Sequence, residues 1–308
     1  MGSDYELSHL KMQNASFHSL TPMLNILFYK YVDVEHVEQL RLELLERCLS
    51  LGIKGKILIA TEGINGCVTG SQDAIATFKR DLNARKEFAD IEFKDGVVEK
   101  HSFNKTIVRI RDEIVTTKFD VDLNSAAAYI EPEELKELLA SGDDVILVDA
   151  RNGYESKIGK FKGAIAPDLE LFSQWPEVVT ELEDLKERPI VTYCTGGIRC
   201  EKASAYMKEQ GFKNVKQLHG GIIRYGLTCG NDFWEGKCFV FDKRGAIEID
   251  PAQQTEAITQ CEQCHIPTDE YYNCANVDCD RWVILCDECR EMLKNCCSKR
   301  CRPRGAPR

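Results

Sequence analysis

The chain has 308 residues with a formal net charge of -10, which argues against general polyanion binding while leaving room for a local basic patch. No run of eighteen apolar residues occurs, so no membrane span is expected. Nine of the fifteen cysteines crowd into residues 261–301, a distribution that favours metal binding or redox chemistry over a disulfide framework.

Residues 1–22 are polar, lack periodicity and are expected to be flexible. Their opening, Met-Gly-Ser-Asp-Tyr-Glu-Leu-Ser, lacks the basic-then-apolar order of an export signal, so a cytoplasmic location is expected. From Met23 the pattern sharpens. Leu24–Tyr31 reads as a strand, and Val37, Leu40, Leu44, Leu45 and Cys48 recur at helical spacing ahead of Gly52. Lys56–Ala60 and Ile64–Thr69 read as two strands joined through the turn Thr61-Glu62-Gly63. Ser71 is placed to cap a helix that carries Ile75, Phe78 and Leu82 on one side. Strands are expected at Ile91–Lys94 and Ile107–Val115. The order β-α-β-β-α-β predicts a ferredoxin-like (acylphosphatase-like) unit over 23–118.

Within Ile107–Arg111, Val108 and Ile110 face one way and Arg109 and Arg111 the other. With Lys105 nearby, this stripe reads either as a solvated sheet face or as a phosphate-contacting surface for RNA on a four-stranded platform. The usual aromatic stacking signature is absent.

A second unit is expected over 125–235. Pro132 opens a helix with Leu135, Leu138 and Leu139, and Val145–Asp149 has the composition of a buried parallel strand. A helix over about 176–186 follows, then a strand through Pro189–Tyr193. Next stand Cys194-Thr195-Gly196-Gly197-Ile198-Arg199, with a helix opening at Arg199 and closed by Gly211. A cysteine at a strand end, followed by a glycine loop, an arginine and a helix N-terminus, is suited to a reactive thiolate. Loop N–H groups, the helix end and the Arg199 charge all lower a thiol's pKa. Cys200 is open to three readings: a resolving thiol, a weak donor to the loop, or a small buried residue. Val215–Leu218 and the turn His219-Gly220-Gly221 complete the unit, with His219 read as a loop or core histidine.

Over 240–308 the cysteines stand as Cys261-x2-Cys264, Cys274-x4-Cys279, Cys286-x2-Cys289, and Cys296/Cys297 with Cys301. Four pairs supply eight thiolates, enough for two tetrahedral zinc sites. The preferred arrangement is interleaved: Cys261, Cys264, Cys286 and Cys289 share one ion, and Cys274, Cys279, Cys297 and Cys301 the other. Sequential pairing, Cys296 in the last pair, and His265 in place of a thiolate remain open. The spacings lack iron–sulfur cluster runs. The basic stretch Lys299–Arg304 is either an RNA contact or a solvated end.

Cys194-x-x-Gly-x-Arg199 at a strand–helix junction resembles the active loop of rhodanese domains. The longer string Cys194-Thr-Gly-Gly-Ile-Arg-Cys200-Glu-Lys-Ala-Ser resembles the oxygen-dependent tRNA uridine hydroxylases, which make 5-hydroxyuridine at the wobble position of bacterial tRNAs. Gly55-Lys-Ile-Leu-Ile-Ala-Thr-Glu62-Gly63-Ile-Asn65-Gly66 resembles the hairpin of that family's N-terminal domain, and the resemblance spans about 24–300. It implies a rhodanese-like central domain, with Asp149, Arg151 and Glu155 as a network beneath the active loop. It also implies tRNA as substrate and molecular oxygen as co-substrate, and it tips the basic stripe towards RNA contact. The alternative activity is sulfur transfer through a Cys194 persulfide stabilised by Arg199 and the loop amides. A non-enzymatic adaptor is disfavoured by the intact loop. A phosphatase is disfavoured because four residues, not five, separate Cys194 from Arg199. No dinucleotide fingerprint, flavin motif or iron motif is evident.

Overall fold

The structure is a computed structural model and describes residues 22–302. The segment 1–21, which holds nearly all of the expected flexible N-terminus, and the last residues of the basic end lie outside the described residues.

The N-terminal unit comprises β1 (Met23–Tyr31), α1 (Val37–Ser50), β2 (Lys54–Ala60), β3 (Gly63–Ser71), α2 (Gln72–Asn83), β4 (Glu92–Val98) and β5 (Thr106–Ile110). Its sheet runs β4-β1-β3-β2-β5, antiparallel except for the β2–β5 pair. All five strands expected from the pattern form; β5 crosses over and adds in parallel to β2 on the edge away from β4. It is also shorter than Ile107–Val115. The chain leaves the sheet after Ile110, and the Ile114 N–H is taken by Glu62 Oε1 at 2.7 Å while its side chain is buried.

The pleat of β1 splits its side chains. Ile26 and Phe28 enter the core with Ile75, Phe78 and Leu82 of α2, whose first turn is capped by Ser71 Oγ accepting from the Ala74 N–H. Phe28 lies across from Gly66, where an added Cβ would sit 2.3 Å from the ring, so only glycine admits it. Asn25, Leu27 and Tyr29 face the other way, away from the helices.

The central unit comprises β6 (Ala128–Ile130), α3 (Pro132–Ser141), β7 (Ile146–Asp149), α4 (Gly153–Ile158), β8 (Gly159–Phe161), α5 (Trp175–Glu181), β9 (Ile190–Tyr193), α6 (Ile198–Glu209), β10 (Val215–Leu218), α7 (Gly221–Cys229) and β11 (Trp234–Gly236). Its main sheet is parallel, β6-β10-β9-β7, with all of β9 buried. Apolar cores cover both faces, one around Trp175, Val179 and Met207, the other around Leu135, Phe161 and Tyr225. The segment expected as one helix over 176–186 is α5 followed by a tight turn, Glu183–Leu185. Three elements are invisible to periodicity: β6, α7 and the β8–β11 ribbon. The strands are three residues each, and α7 starts on two left-handed glycines.

Beyond lie β12 (Cys238–Phe239), β13 (Ala246–Ile247), β14 (Tyr271–Asn273), β15 (Trp282–Ile284) and α8 (Asp287–Met292). Their aromatic packing, Tyr154 on Trp282 at 5.5 Å and Phe239 on Tyr271 at 4.3 Å, ties the cysteine-rich part to α4. The first two units are also clamped together. Lys202 of α6 is buried and pairs with Glu62 at 2.8 Å and Glu113 at 2.9 Å.

Candidate active site

Cys194 follows the last residue of β9 and is buried. The chain then turns through Thr195 and Gly196 to Gly197, whose φ of +100° is left-handed and starts α6. That turn aims the Gly197 N–H at Cys194 Sγ, 3.1 Å away. Burial alone would raise this thiol's pKa. The Cys200 thiol, the Arg199 charge and the N–H groups of Arg199 and Gly197 outweigh it and bring the pKa down to about 6. Cys200 carries the reciprocal effect: burial and the adjacent Cys194 charge push it up, so it remains a thiol and donates. Of the three readings of Cys200, these electrostatics favour the donor.

The His219-Gly220-Gly221 turn supports the loop from below. The Ile222 and Ile223 N–H groups at the start of α7 donate to the Cys194 and Thr195 carbonyls at 2.9 and 3.1 Å. A Cβ on Gly221 would lie 2.4 Å from the Cys194 carbonyl oxygen. His219 itself points outward, stacked on Tyr129 at 4.6 Å and paired with Glu131 at 2.6 Å and Glu92 at 3.2 Å.

The residues expected beneath the loop form two buried ion pairs, not one network. Arg199 grips Glu155 with two N–H···O bonds of 2.5 and 2.9 Å, and this charge holds the Glu155 carboxyl below its ordinary range despite burial. Asp149 takes Arg151 at 2.6 Å, and Arg151 lies against the Tyr193 and Trp234 rings. The Asp149–Arg151 pair braces the strand end, while Glu155 positions Arg199 beside the sulfur.

Above the sulfur opens a cavity of about 620 Å³, lined on one side by Cys194, Thr195, Gly196, Ile198 and Arg199. The helix-free face of the N-terminal sheet forms the opposite wall, with Asn25, Leu27, Tyr29, Leu58 and Lys94. Val240, Phe241 and Ile247 close a third side, and Phe241 stays largely exposed at the mouth. Tyr29 bridges the units, donating to Glu201 Oε1 at 3.0 Å, and Tyr31 reaches the Ile198 carbonyl at 3.4 Å. Tyr29, Lys94 and Glu201 were not singled out from the sequence. The alternation of Asn25, Leu27, Tyr29 and Tyr31 against Ile26 and Phe28 is the signal that marks a second covered face of β1.

The basic stripe emerges beside this cavity. In the β2–β5 register Arg109 sits next to Leu58, and Lys56, at the cavity wall, has its pKa lowered by partial desolvation and then by the nearby charges of Arg109 and Arg111. Lys105, Arg109 and Arg111 are all exposed. The rest of that sheet face is covered by the central unit, so it is not an open platform.

In the cysteine-rich part, the sulfurs of Cys261, Cys264, Cys286 and Cys289 lie within 4.8 Å of one another, as do those of Cys274, Cys279, Cys297 and Cys301. Sulfur separations of 3.6 Å (Cys264–Cys286 and Cys274–Cys301) and 3.9 Å (Cys279–Cys297) fit the edge of about 3.8 Å in a tetrahedron with metal–sulfur bonds near 2.3 Å. Cys296 points instead at the Lys294 carbonyl, and His265 is outside both groups. Either group could hold a metal ion.

Family profiles match three segments: the UPF0176 acylphosphatase like domain at residues 23–114, the Rhodanese-like domain at 131–226 and the Rhodanase C-terminal at 235–302. The chain is 39% identical over 279 residues to a tRNA uridine(34) hydroxylase of Cytophaga hutchinsonii, covering 90% of this chain and 89% of that protein. It is 40% identical over 285 residues to one of Bacillus licheniformis, covering 90% and 87%. A solved rhodanese-like domain from Anabaena sp. is 23% identical, with a TM-score of 0.31, over 35% of this chain and 78% of that domain. Identity of this order across nine-tenths of the chain, with all three segments in order, places it in one family: the chain belongs to the tRNA uridine(34) hydroxylases.

Proposed function

We propose that the protein hydroxylates the wobble uridine of tRNA at C5, with molecular oxygen as oxidant and Cys194 as nucleophile. The observation that carries this reading is a thiol, contacted by the Gly197 N–H and with its pKa lowered to about 6, at the floor of a cavity large enough for one nucleotide and flanked by an exposed basic edge. The wobble base is unpaired in an anticodon loop, so turning it out of its stack costs little. Arg109, Arg111 and Lys105 then contact the phosphates around it. The thiolate adds at uracil C6, which makes C5 electron-rich towards oxygen. Uridine, O₂, two electrons and two protons together give 5-hydroxyuridine and water, the electrons coming from a thiol or hydride reductant.

Asp149, Arg151 and Glu155 serve as positioning residues. Thr195, Gly196, Gly197 and Ile198 shape the loop. The two cysteine groups hold structural zinc, chosen by the all-sulfur tetrahedral donor set, and stiffen the segment that packs on α4. The enzyme works in the cytoplasm, where its substrate resides. Among the described residues no helix is long and apolar enough to cross a membrane.

Oxygen dependence is the test. With tRNA and a thiol reductant, the protein is expected to form 5-hydroxyuridine in air and none under argon, without thiosulfate. Incorporation of sulfur into tRNA, or rapid conversion of cyanide to thiocyanate with tRNA left unmodified, would assign the site to sulfur transfer instead.

A further inference from the structure

β4 sets Lys94 directly beside Leu27 of β1, on the wall that faces the active loop. A Cβ on Gly196 would come within 2.5 Å of the Leu27 side chain, so this wall and the loop are in contact. Lys94 is only 8% exposed and lines the cavity. Its Nζ lies 4.8 Å from the Tyr29 ring centroid.

The acids around it are committed elsewhere. Glu92 pairs with Arg224 and His219, each at 3.2 Å. Glu201 accepts from Tyr29 at 3.0 Å, Tyr129 at 2.5 Å and Gln217 at 2.9 Å. Among the described residues no carboxylate lies within ion-pair distance of the Lys94 ammonium. A buried ammonium whose only partner is a ring face is costly, and it leaves donors free for a ligand. Arg199, by contrast, has its charge compensated by the two-pronged contact with Glu155. Burial, with some help from Arg224, lowers the Lys94 pKa, while Glu92, Cys194 and Glu201 oppose that shift.

We propose that Lys94 touches the uracil ring, donating from Nζ to O4 and holding the negative charge that appears there when the Cys194 thiolate adds to C6. This rests on Cys194 acting as the nucleophile of the hydroxylation. In the step, the Sγ–C6 bond forms and the C5=C6 π bond breaks. The freed pair enters the C5–C4–O4 system as an enolate. Lys94 keeps its proton throughout, and no electron leaves the pair of reactants. O4 is the oxygen served because it alone is conjugated with C5 after addition at C6. The lysine thus does for this addition what an oxyanion hole does for acyl transfer.

The test uses the full-length protein, a tRNA transcript with uridine at the wobble position, air and a thiol reductant. Lys94→Met keeps the length of the side chain and removes the charge. It is expected to lower kcat about 10²–10³-fold, as loss of an oxyanion donor does. KM for tRNA should stay within about threefold of wild type. Alkylation of Cys194 by iodoacetamide should also stay within about threefold, because the thiolate is already held by the loop. Lys94→Arg should recover part of kcat. Thermal melting of both variants separates loss of fold from loss of function. An alkylation rate that falls in step with kcat would place the charge on the sulfur, not the uracil, and overturn the assignment. So would full activity in Lys94→Met with an active wild type. A wild-type protein that forms no 5-hydroxyuridine would overturn the hydroxylation itself.

Discussion

Arg199 and Glu155 form a two-pronged, buried ion pair that crosses from the first turn of α6 to α4, with bonds of 2.5 and 2.9 Å. The pair fixes the guanidinium near enough to Cys194 for its charge to lower the thiol's pKa. Glu155 also caps its own helix through the Asn152 N–H at 3.1 Å. Glu155→Ala would leave Arg199 buried and uncompensated, so a loss of about 3–5 kcal/mol is expected on chemical denaturation. A variant as stable as wild type would remove the pair from the architecture of the site.

The thiol gives a pH dependence with a definite sign. The thiolate is the reactive form, and its pKa is lowered to about 6, so alkylation of Cys194 should rise with pH through a midpoint near that value and level off above neutrality. Cys200→Ala deletes the donor and should move the midpoint upward, whereas Cys200→Ser keeps a hydroxyl and should move it less. A midpoint near the ordinary thiol range in the wild type would contradict the electrostatics of the loop.

Gly221 tests the support below the loop. Its φ is +67°, and a Cβ would lie 2.4 Å from the Cys194 carbonyl oxygen and 2.7 Å from the Gly197 nitrogen. All of these neighbours are backbone and cannot swing aside. Gly221→Ala should therefore displace the loop, slow Cys194 alkylation and lower the melting temperature together. Gly211→Ala, equally left-handed but with nothing within 4 Å, should cost stability alone.

For the cysteine groups, protein purified without chelator should contain about two zinc ions per chain. Cys286→Ser should lower the content towards one, since it removes a donor from one tetrahedron only. Reduced protein free of metal on elemental analysis would leave both groups without an ion.

Neutralising Arg109 and Arg111 should weaken tRNA binding and flatten its salt dependence by about 0.7 in log–log slope for each phosphate that is no longer neutralised. An unchanged slope would return the stripe to an ordinary solvated face.

Much of this protein is legible in its sequence because the relevant signals are local. The Cys194–Arg199 spacing, the strand before it and the helix after it define the loop within a dozen residues. The same holds for the Thr61-Glu62-Gly63 hairpin, the Ser71 cap and the two Cys-x2-Cys knuckles. What tertiary structure decided is pairing across long separations. The parallel addition of β5 to β2, the partnership of Glu155 with Arg199 instead of Arg151, and the grouping of Cys297 rather than Cys296 each depend on chain folding back from elsewhere. The cavity is the clearest case. Tyr29 and Lys94 belong to strands of one unit, Cys194 to a strand end of another, and Phe241 to the segment beyond both. Periodicity reports which face of an element is covered, but it carries no record of what covers it. Contacts between the units, among them the clamp of Lys202 on Glu62 and Glu113 and the docking of Leu27 on Gly196, bring a lysine of the first unit into one cavity with the sulfur of the second.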